Sequence, residues 1–372
     1  MRDEWQAYGG DTVKTYKFKL YSSKRNKRLH RQIDIAGSIY NHCIALHRRY
    51  YRLFKKSLTA FTLSKHLTKL KNARWKSVGS QAVQDISERI GRAYALFFHN
   101  LKHNIKTSPP CFKKIRKYKS FTLKQAGYKY TGQDNSIIIQ KQKYRFFKSR
   151  EIEGRICTVT VKRDSLGDIY IYFVCKNDEN KVLARTGKSV GFDFGLKTFL
   201  TASDGQDIES PLFFRRNSSV IAKANRRLAG KKHGSARRKR MKTELCRLHK
   251  KTVNQRNDFH WKLANKLCGE YAVICMEDLN LKDMQKLYGR KISDLGFAEF
   301  LQKLEYVAYK AGTTIIKIDR FFPSSQLCSC CGQQNHQMKD LRIRKWQCSC
   351  GVVHQRDRNA AINILNEGLK YL

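Results

Sequence analysis

The sequence predicts a multidomain α/β plus β-barrel chain: an N-terminal β-barrel-like unit with a helical insertion, then an α/β domain carrying a small metal-binding insert. Three observations lead there. The 372 residues exceed the usual size of one compact core. The apolar period shifts from two to three-and-four and back along the first half, then alternates strand with helix in the second. Five of the 12 cysteines crowd between residues 328 and 350.

The balance of charge bounds the partners. Lysine and arginine number 76 against 30 acidic residues, a formal charge of +46. Self-repulsion of that size destabilises a compact state unless a polyanion neutralises it, so nucleic acid is expected ahead of a ribosomal-type role or an anionic membrane surface. The opening MRDEWQAYGG lacks a basic start leading into an apolar core, and no stretch reaches the roughly 20 apolar residues of a membrane span. No membrane is expected, and a cytosolic location is. Cys43, Cys111, Cys157, Cys175, Cys246, Cys268 and Cys275 stand apart in apolar settings and read as free thiols.

Taken in order, VKTYKFKLY at 13–21 alternates apolar and basic, the pattern of a half-buried strand. From Arg31 to Lys56 the apolar positions recur at three and four, as do Val83, Ile86, Ile90, Ala93, Phe97 and Leu101, giving two amphipathic helices with basic outer faces. Pro109 and Pro110 end the helical region; SIIIQ, ICTVTVK and DIYIYFVC follow as short strands. From Lys188, SVGFDFG and KTFLTAS read as a strand and its antiparallel partner. Ser218 and Ser219 are candidate caps for the next helical stretch, whose cations, Arg237, Arg238 and Arg240 among them, are expected on a phosphate backbone. Strand YAVICME, a helix near 296–311 and strand TTIIKID complete the pattern.

Three carboxylates stand out in a chain poor in acids. Asp193 lies within an apolar strand, where a charge is costly unless a cation offsets it. Glu277 ends the strand YAVICME, and Asp357 precedes the helix RNAAINILNEGLKYL. Individually they could be a turn former, a strand-end solvator and an N-cap. Together they suit a centre in which carboxylates hold two divalent cations about 4 Å apart for phosphodiester hydrolysis. Magnesium, with its preference for oxygen ligands and retained waters, is the expected ion.

The cysteine cluster points to one structural zinc. Cys328 and Cys331 form CxxC, and Cys348 and Cys350 form CxC sixteen residues on. Two short-spaced pairs on facing turns supply the four sulfurs of a tetrahedral site. Cys330 competes with Cys331, and His336 and His354 stand in reserve. So small a ribbon folds only with its metal. Arg344 and Trp346 within it are candidate contacts to a nucleic-acid strand, although Trp346 could instead pack against the ribbon.

Several stretches in this order resemble the TnpB family, the OrfB-type RNA-guided nucleases of insertion sequences, related to compact type V CRISPR effectors. They are GFDFGLKTFLTASDG, QRNDFHWKLANKL, ICMEDLNLKDM, and RFFPSSQLCSCCG through HQRDRNAAINI. The resemblance implies an RNase H-like (RuvC) nuclease domain over 184–323 and 353–372, with Asp193, Glu277 and Asp357 as its triad. It also implies a zinc-ribbon target-nucleic-acid-binding insertion over 324–352. The family often reads HDRDxNAA where this chain has HQRDRNAA, so Gln355 replaces the first acid and Asp357 is retained. CSCG departs from the commoner CxxCG.

The resemblance further implies a wedge-type β-barrel over 1–29 and 116–183 that binds guide RNA. A helical recognition domain over 30–115 would read a short motif beside a double-stranded DNA target, with Gln84, Lys114 and Thr122 where motif contacts fall. Base pairing would then read sequence while protein reads the adjacent motif. The function implied is Mg²⁺-dependent, RNA-guided DNA cleavage by a transposable element. The alternatives are a compact type V CRISPR effector, a nuclease-silent RNA-guided regulator, and a self-acting transposase for which no tyrosine or serine nucleophile stands in a recognisable setting.

Overall fold

A computed structural model of the chain describes residues 11–70, 72–132, 134–178, 187–279, 289, 294–340 and 342–372. Parts of the expected wedge (1–10 and 179–183), and NLKDM within ICMEDLNLKDM, lie outside them. The chain divides into two compact units, residues 1–180 and 181–372.

In the first unit, β1 (Asp11–Lys19) pairs antiparallel along its length with β7 (Ile169–Asp178). Alternation sets its faces: Tyr16, Phe18 and Leu20 are buried while Thr15 and Lys17 are exposed. The sheet continues through β6 (Arg155–Arg163) to β2 (Ser120–Leu123), in the order β1-β7-β6-β2. A second, three-stranded sheet comprises β3 (Tyr128–Lys129), β4 (Ser136–Ile139) and β5 (Gln142–Arg145). Leu20 and Phe146 bridge the chain just past β1 to the chain just past β5.

The closed barrel expected from the sequence is not seen among the described residues: β1 and β2 are the two edges of an open sheet. Helices cover the β2 edge instead. Arg89 of α4 (Ser80–Lys102) donates to the Ser120 carbonyl at 3.4 Å and to the Thr122 hydroxyl at 2.5 Å, giving partners to an edge that would otherwise present open groups. The long α1 (Asn26–Phe54) packs through Ile33, Ala36, Ile39 and Cys43 into the same continuous core as Phe121, Val161 and Phe173. Two shorter helices intervene. Thr59 caps α2 (Ala60–Lys69) by accepting from the Thr62 N–H, and Asn72 caps α3 (Ala73–Lys76).

The second unit is a five-stranded mixed sheet ordered β10-β9-β8-β11-β12. β8 (Ser189–Phe194), β9 (Thr198–Ala202) and β10 (Ile208–Glu209) are antiparallel neighbours, whereas β11 (Val273–Glu277) runs parallel to β8 and β12 (Thr314–Ile318) parallel to β11. A hydrophobic cluster unites Phe192, Phe199 and Ile274 with α6 (Ala236–Glu270) and α7 (Phe297–Ala311).

The cap expected at Ser218 and Ser219 is corrected. α5 spans Phe213–Ala229, so both serines lie inside it, and Ser218 donates to the Arg215 carbonyl at 2.7 Å. Asp294, some 80 residues away, takes the first N–H groups instead, Phe214 at 2.8 Å and Arg215 at 3.1 Å. A carboxylate from so far along the chain leaves no local signature. The ribbon hairpin of β13 (Lys345–Gln347) and β14 (Val353–Gln355) leads directly into α8 (Arg356–Gly368), with Gln355 both closing β14 and standing at the N-cap of α8.

Candidate metal centre and ribbon

Strand register assembles the carboxylates. β8 and β11 are parallel, pairing Gly191 with Cys275 and Phe192 with Met276, so Asp193 and Glu277 follow side by side. Both face α8. A Cβ on Gly191 would lie 2.2 Å from the Ala361 carbonyl oxygen, and Gly368 of α8 lies against Cys275. Asp193 and Glu277 sit two residues beyond Gly191 and Cys275, on the same faces of their strands.

The third acid reaches them by arithmetic of rise. Asp193 lies about 6.6 Å along its strand from Gly191. Asp357 lies about 6 Å up the helix from Ala361. Glycine at 191 permits this, since any side chain would push the helix off the strand. Asp357 also occupies the first turn of α8, where the helix dipole favours a carboxylate.

The electrostatics show that the three groups share one neighbourhood. The Asp193 carboxyl is pushed well above the usual carboxylate range, first by burial and then by the charges of Glu277 and Asp357; Arg356 and the Phe194 N–H oppose this in part. Burial also raises Glu277, offset by the Ser324 hydroxyl, which donates to its Oε1 at 2.5 Å. Arg344 Nη1 donates to both Asp357 oxygens, at 3.0 and 3.2 Å. Such a surplus of negative charge, partly shielded from water, is the setting in which a bound cation is favoured.

The sulfurs of Cys328, Cys331, Cys348 and Cys350 all lie within 4.8 Å of one another. Cys328 to Cys350 is 3.7 Å, and Cys331 to Cys348 is 3.6 Å. Four thiols so gathered could hold one metal ion, and Cys330 is exposed outside the group. Each pair lies on a tight turn: Gly332 N–H to the Cys328 carbonyl and Gly351 N–H to the Cys348 carbonyl, both 2.9 Å, with left-handed φ of 74° and 88° at the glycines. His354 Nε2 lies 3.0 Å from Cys328 Sγ, beside the sulfurs rather than replacing one, and His336 is exposed on a short 3₁₀ turn.

Three candidate nucleic-acid contacts are engaged within the fold. Trp346 is only 8% exposed and packs with Cys328, Met338 and Cys348 as the core of the ribbon, so its ring face is taken. A ribbon too small for a conventional core uses its largest side chain to make one. Thr122 is buried on β2 between Arg89 and Thr160. Arg238 donates at 2.8 Å to the Leu228 and Lys231 carbonyls, closing the end of α5. Gln84, Lys114, Arg237 and Arg240 are exposed; Arg344 is exposed but paired with Asp357.

Residues not singled out from sequence tie the ribbon to α8. Asn359 accepts from the Ser329 N–H at 2.9 Å and donates to the Leu327 carbonyl at 2.6 Å; Asn363 donates to the Ser324 and Leu327 carbonyls at 2.8 and 2.7 Å. Two asparagines four apart on one helix face were the available signal, because buried amides need partners.

Comparison with known proteins agrees with this architecture. Residues 172–287 match the OrfB_IS605 family, described as "Probable transposase", and residues 297–364 match the family "Cas12f1-like, TNB domain". A Streptomyces pristinaespiralis protein named as a candidate RNA-guided DNA endonuclease is 38% identical over 57% of this chain and 53% of its own length. The TnpB-like protein L79 of Acanthamoeba polyphaga mimivirus is 32% identical over 57% of this chain and 44% of its own. The candidate RNA-guided DNA endonuclease InsQ of Escherichia coli K12 is 26% identical over 96% of this chain and 92% of its own. The chain thus spans about half the length of the first two of these relatives. The cryo-EM structure of a Cas12f1–sgRNA–target DNA complex aligns with a TM-score of 0.61 at 15% identity, over 96% of this chain and 99% of that one, a likeness of fold. No described helix is long and apolar enough to cross a membrane. With an OrfB_IS605 segment followed by a Cas12f1-like TNB domain, the chain is similar to the TnpB-like proteins in its segments and in their order.

Proposed function

We propose that this protein is an RNA-guided DNA endonuclease of a transposable element, cutting double-stranded target DNA beside a short adjacent motif. The observation that carries the reading is the meeting of Asp193, Glu277 and Asp357 on the α8-facing side of one sheet, in a chain of charge +46. In this reading the three carboxylates hold two magnesium ions, and the second unit is an RNase H-like (RuvC) nuclease domain. When bound, the ions supply an ionised water and positive charge at the leaving oxygen.

The chain's own residues do the rest. Ser324 fixes the Glu277 carboxylate by donating to one oxygen, leaving the other free for a ligand. Asp357 must give up Arg344 before it can serve as a ligand, which releases a guanidinium from the ribbon for a phosphate. The four cysteines hold one structural zinc, and the first unit takes the guide RNA scaffold, its helices supporting the guide–target duplex beside the adjacent motif. Gln84, Lys114, Arg237 and Arg240 remain the exposed candidates for nucleic-acid contact. The location proposed is the prokaryotic cytoplasm.

The structural likeness to a Cas12f1 complex favours one second reading, a compact type V CRISPR effector of the same chemistry. The origin of RNA that copurifies with the protein separates the two. Asp193→Ala should abolish target cleavage in Mg²⁺ while the same discrete RNA copurifies. Recovery of no discrete RNA with the wild-type protein would overturn the guided reading, and residual cleavage by the variant would overturn the assignment of Asp193.

A further inference from the structure

In the first unit, α1 and α4 run in the same direction. Gln32 donates to the Ser77 carbonyl at 2.8 Å just ahead of α4, and fifteen residues further along α1 the His47 ring stacks on Tyr94 with centroids 3.6 Å apart. Up to that stack the seam between the helices is closed, with Ile33, Ala36 and Tyr40 facing Ala82, Ile86 and Ile90 in one core. Beyond it the seam opens. Residues four and seven places past His47 are Tyr51 and Phe54; four and seven places past Tyr94 are Phe98 and Leu101. These positions continue the packed face of each helix. Yet they are 49%, 58%, 40% and 50% exposed.

Single exposed apolar side chains need no explanation, whereas a contiguous set continuing a buried seam does. Further rings line each helix beside these positions: Tyr50 meets Phe54 at 4.8 Å on α1, and Phe98 meets Tyr94 at 6.3 Å and Phe97 at 5.2 Å on α4. Its surroundings are uniformly cationic. Between residues 35 and 133 the only acids are Asp85 and Glu88, both near the start of α4 and both paired, with Arg89 and Lys124. Around the open end stand exposed Arg49, Arg52, Lys55, Lys56, Lys102 and Lys106.

We propose that the open end of the α1–α4 seam is a stacking platform for the unpaired bases of a single nucleic-acid strand. Aromatic faces among cations are the chemistry that single strands require, since each base offers a ring face and each linkage a phosphate. A duplex keeps its bases stacked internally and gains only from the charges. A second copy of this chain would bring two acid-free cationic surfaces together, a repulsive pairing. The platform lies at the end of α4 away from Gln84, and it does not depend on the carboxylates of the second unit.

Full-length protein and the double variant Phe54→Ser/Phe98→Ser are compared by fluorescence anisotropy with short oligo-uridine, oligo-thymidine and duplex DNA probes. Loss of two stacking rings is expected to weaken both single-strand complexes about 10-fold or more while changing duplex binding less than about 2-fold. The salt dependence should be unchanged, because no cation has been removed. Equal behaviour of the two single strands marks base stacking, and a preference between them assigns the platform to RNA or to DNA. Halogenated-uridine oligonucleotides photocrosslinked to the wild-type protein should attach at Tyr51, Phe54 or Phe98. Crosslinks confined to other residues, equal losses on duplex and single strand, or a wild-type dimer dissolved by the substitutions would each overturn the platform. The last would make the patch a protein–protein surface.

Discussion

Asp193 carries the clearest consequence at the scale of single residues. Its carboxyl is held well above the ordinary range by burial and by the Glu277 and Asp357 charges. A raised carboxyl binds its proton more tightly folded than unfolded. Stability is therefore greatest below the unfolded value near 4 and falls as pH rises toward the folded one. Asp193→Asn should accordingly raise the melting temperature by a few °C at pH 8 without added divalent cation, with no gain near pH 4. An equal gain at both pH values would show that ionisation is not the cause. The Arg344–Asp357 pair is exposed at 57% and 34% of its side chains, so Arg344→Ala should cost less than about 1 kcal/mol. If Arg344 is released to a phosphate, the same variant should slow cleavage about 10-fold or more. A lowered melting temperature with unchanged cleavage would confine Arg344 to a structural role. Asp193 and Glu277 were legible because strand alternation is local, whereas the Ser324 and Arg344 partners come from segments 47 and 13 residues away.

Among the elements, α8 depends on the ribbon that precedes it. β14 runs into its first turn, and Asn359 and Asn363 take backbone groups from 324–329. The position of Asp357 is therefore set by a hairpin whose own order rests on four thiols. Cys348→Ser should lower bound zinc below one equivalent per chain and abolish cleavage. Circular dichroism should change little, since the long helices and the five-stranded sheet lie outside the ribbon. Full zinc content in that variant would exclude Cys348 from the ligand set. The motif spacing exposed the two cysteine pairs but left Cys330 and Cys331 in competition; only the turn at Gly332 brings Cys331 to its partners. The barrel expectation failed for a related reason. Short strands with turn residues between them indicate β-structure, but nothing in their alternation distinguishes closure from an edge covered by α4.

For the molecule as a whole, the charge of +46 sets a self-repulsion that a bound polyanion would offset. Purified free of RNA, the protein should melt at a higher temperature once a polyanion is added, and the gain should fade with salt. If nucleic-acid binding neutralises about six phosphates or more, affinity should fall roughly 10³-fold between 50 and 200 mM salt. A shallow salt dependence would mean that most of the cations serve the fold or remain solvated.

The sequence by itself determined the elements whose signals repeat at short range. These are the alternating strands of both units, the amphipathic helices, the paired cysteines, and the carboxylates at strand ends and a helix start. Each depends on neighbours within a few residues, where backbone geometry dictates what periodicity and spacing can do. The tertiary structure alone decided which groups those elements meet. Asp294 rather than a serine caps α5, Trp346 fills the ribbon, Arg344 holds Asp357, and the α1–α4 seam stays open beyond His47. In each case the deciding partner lies far along the chain or on another element, and side-chain chemistry at one position does not encode which distant group will fold against it.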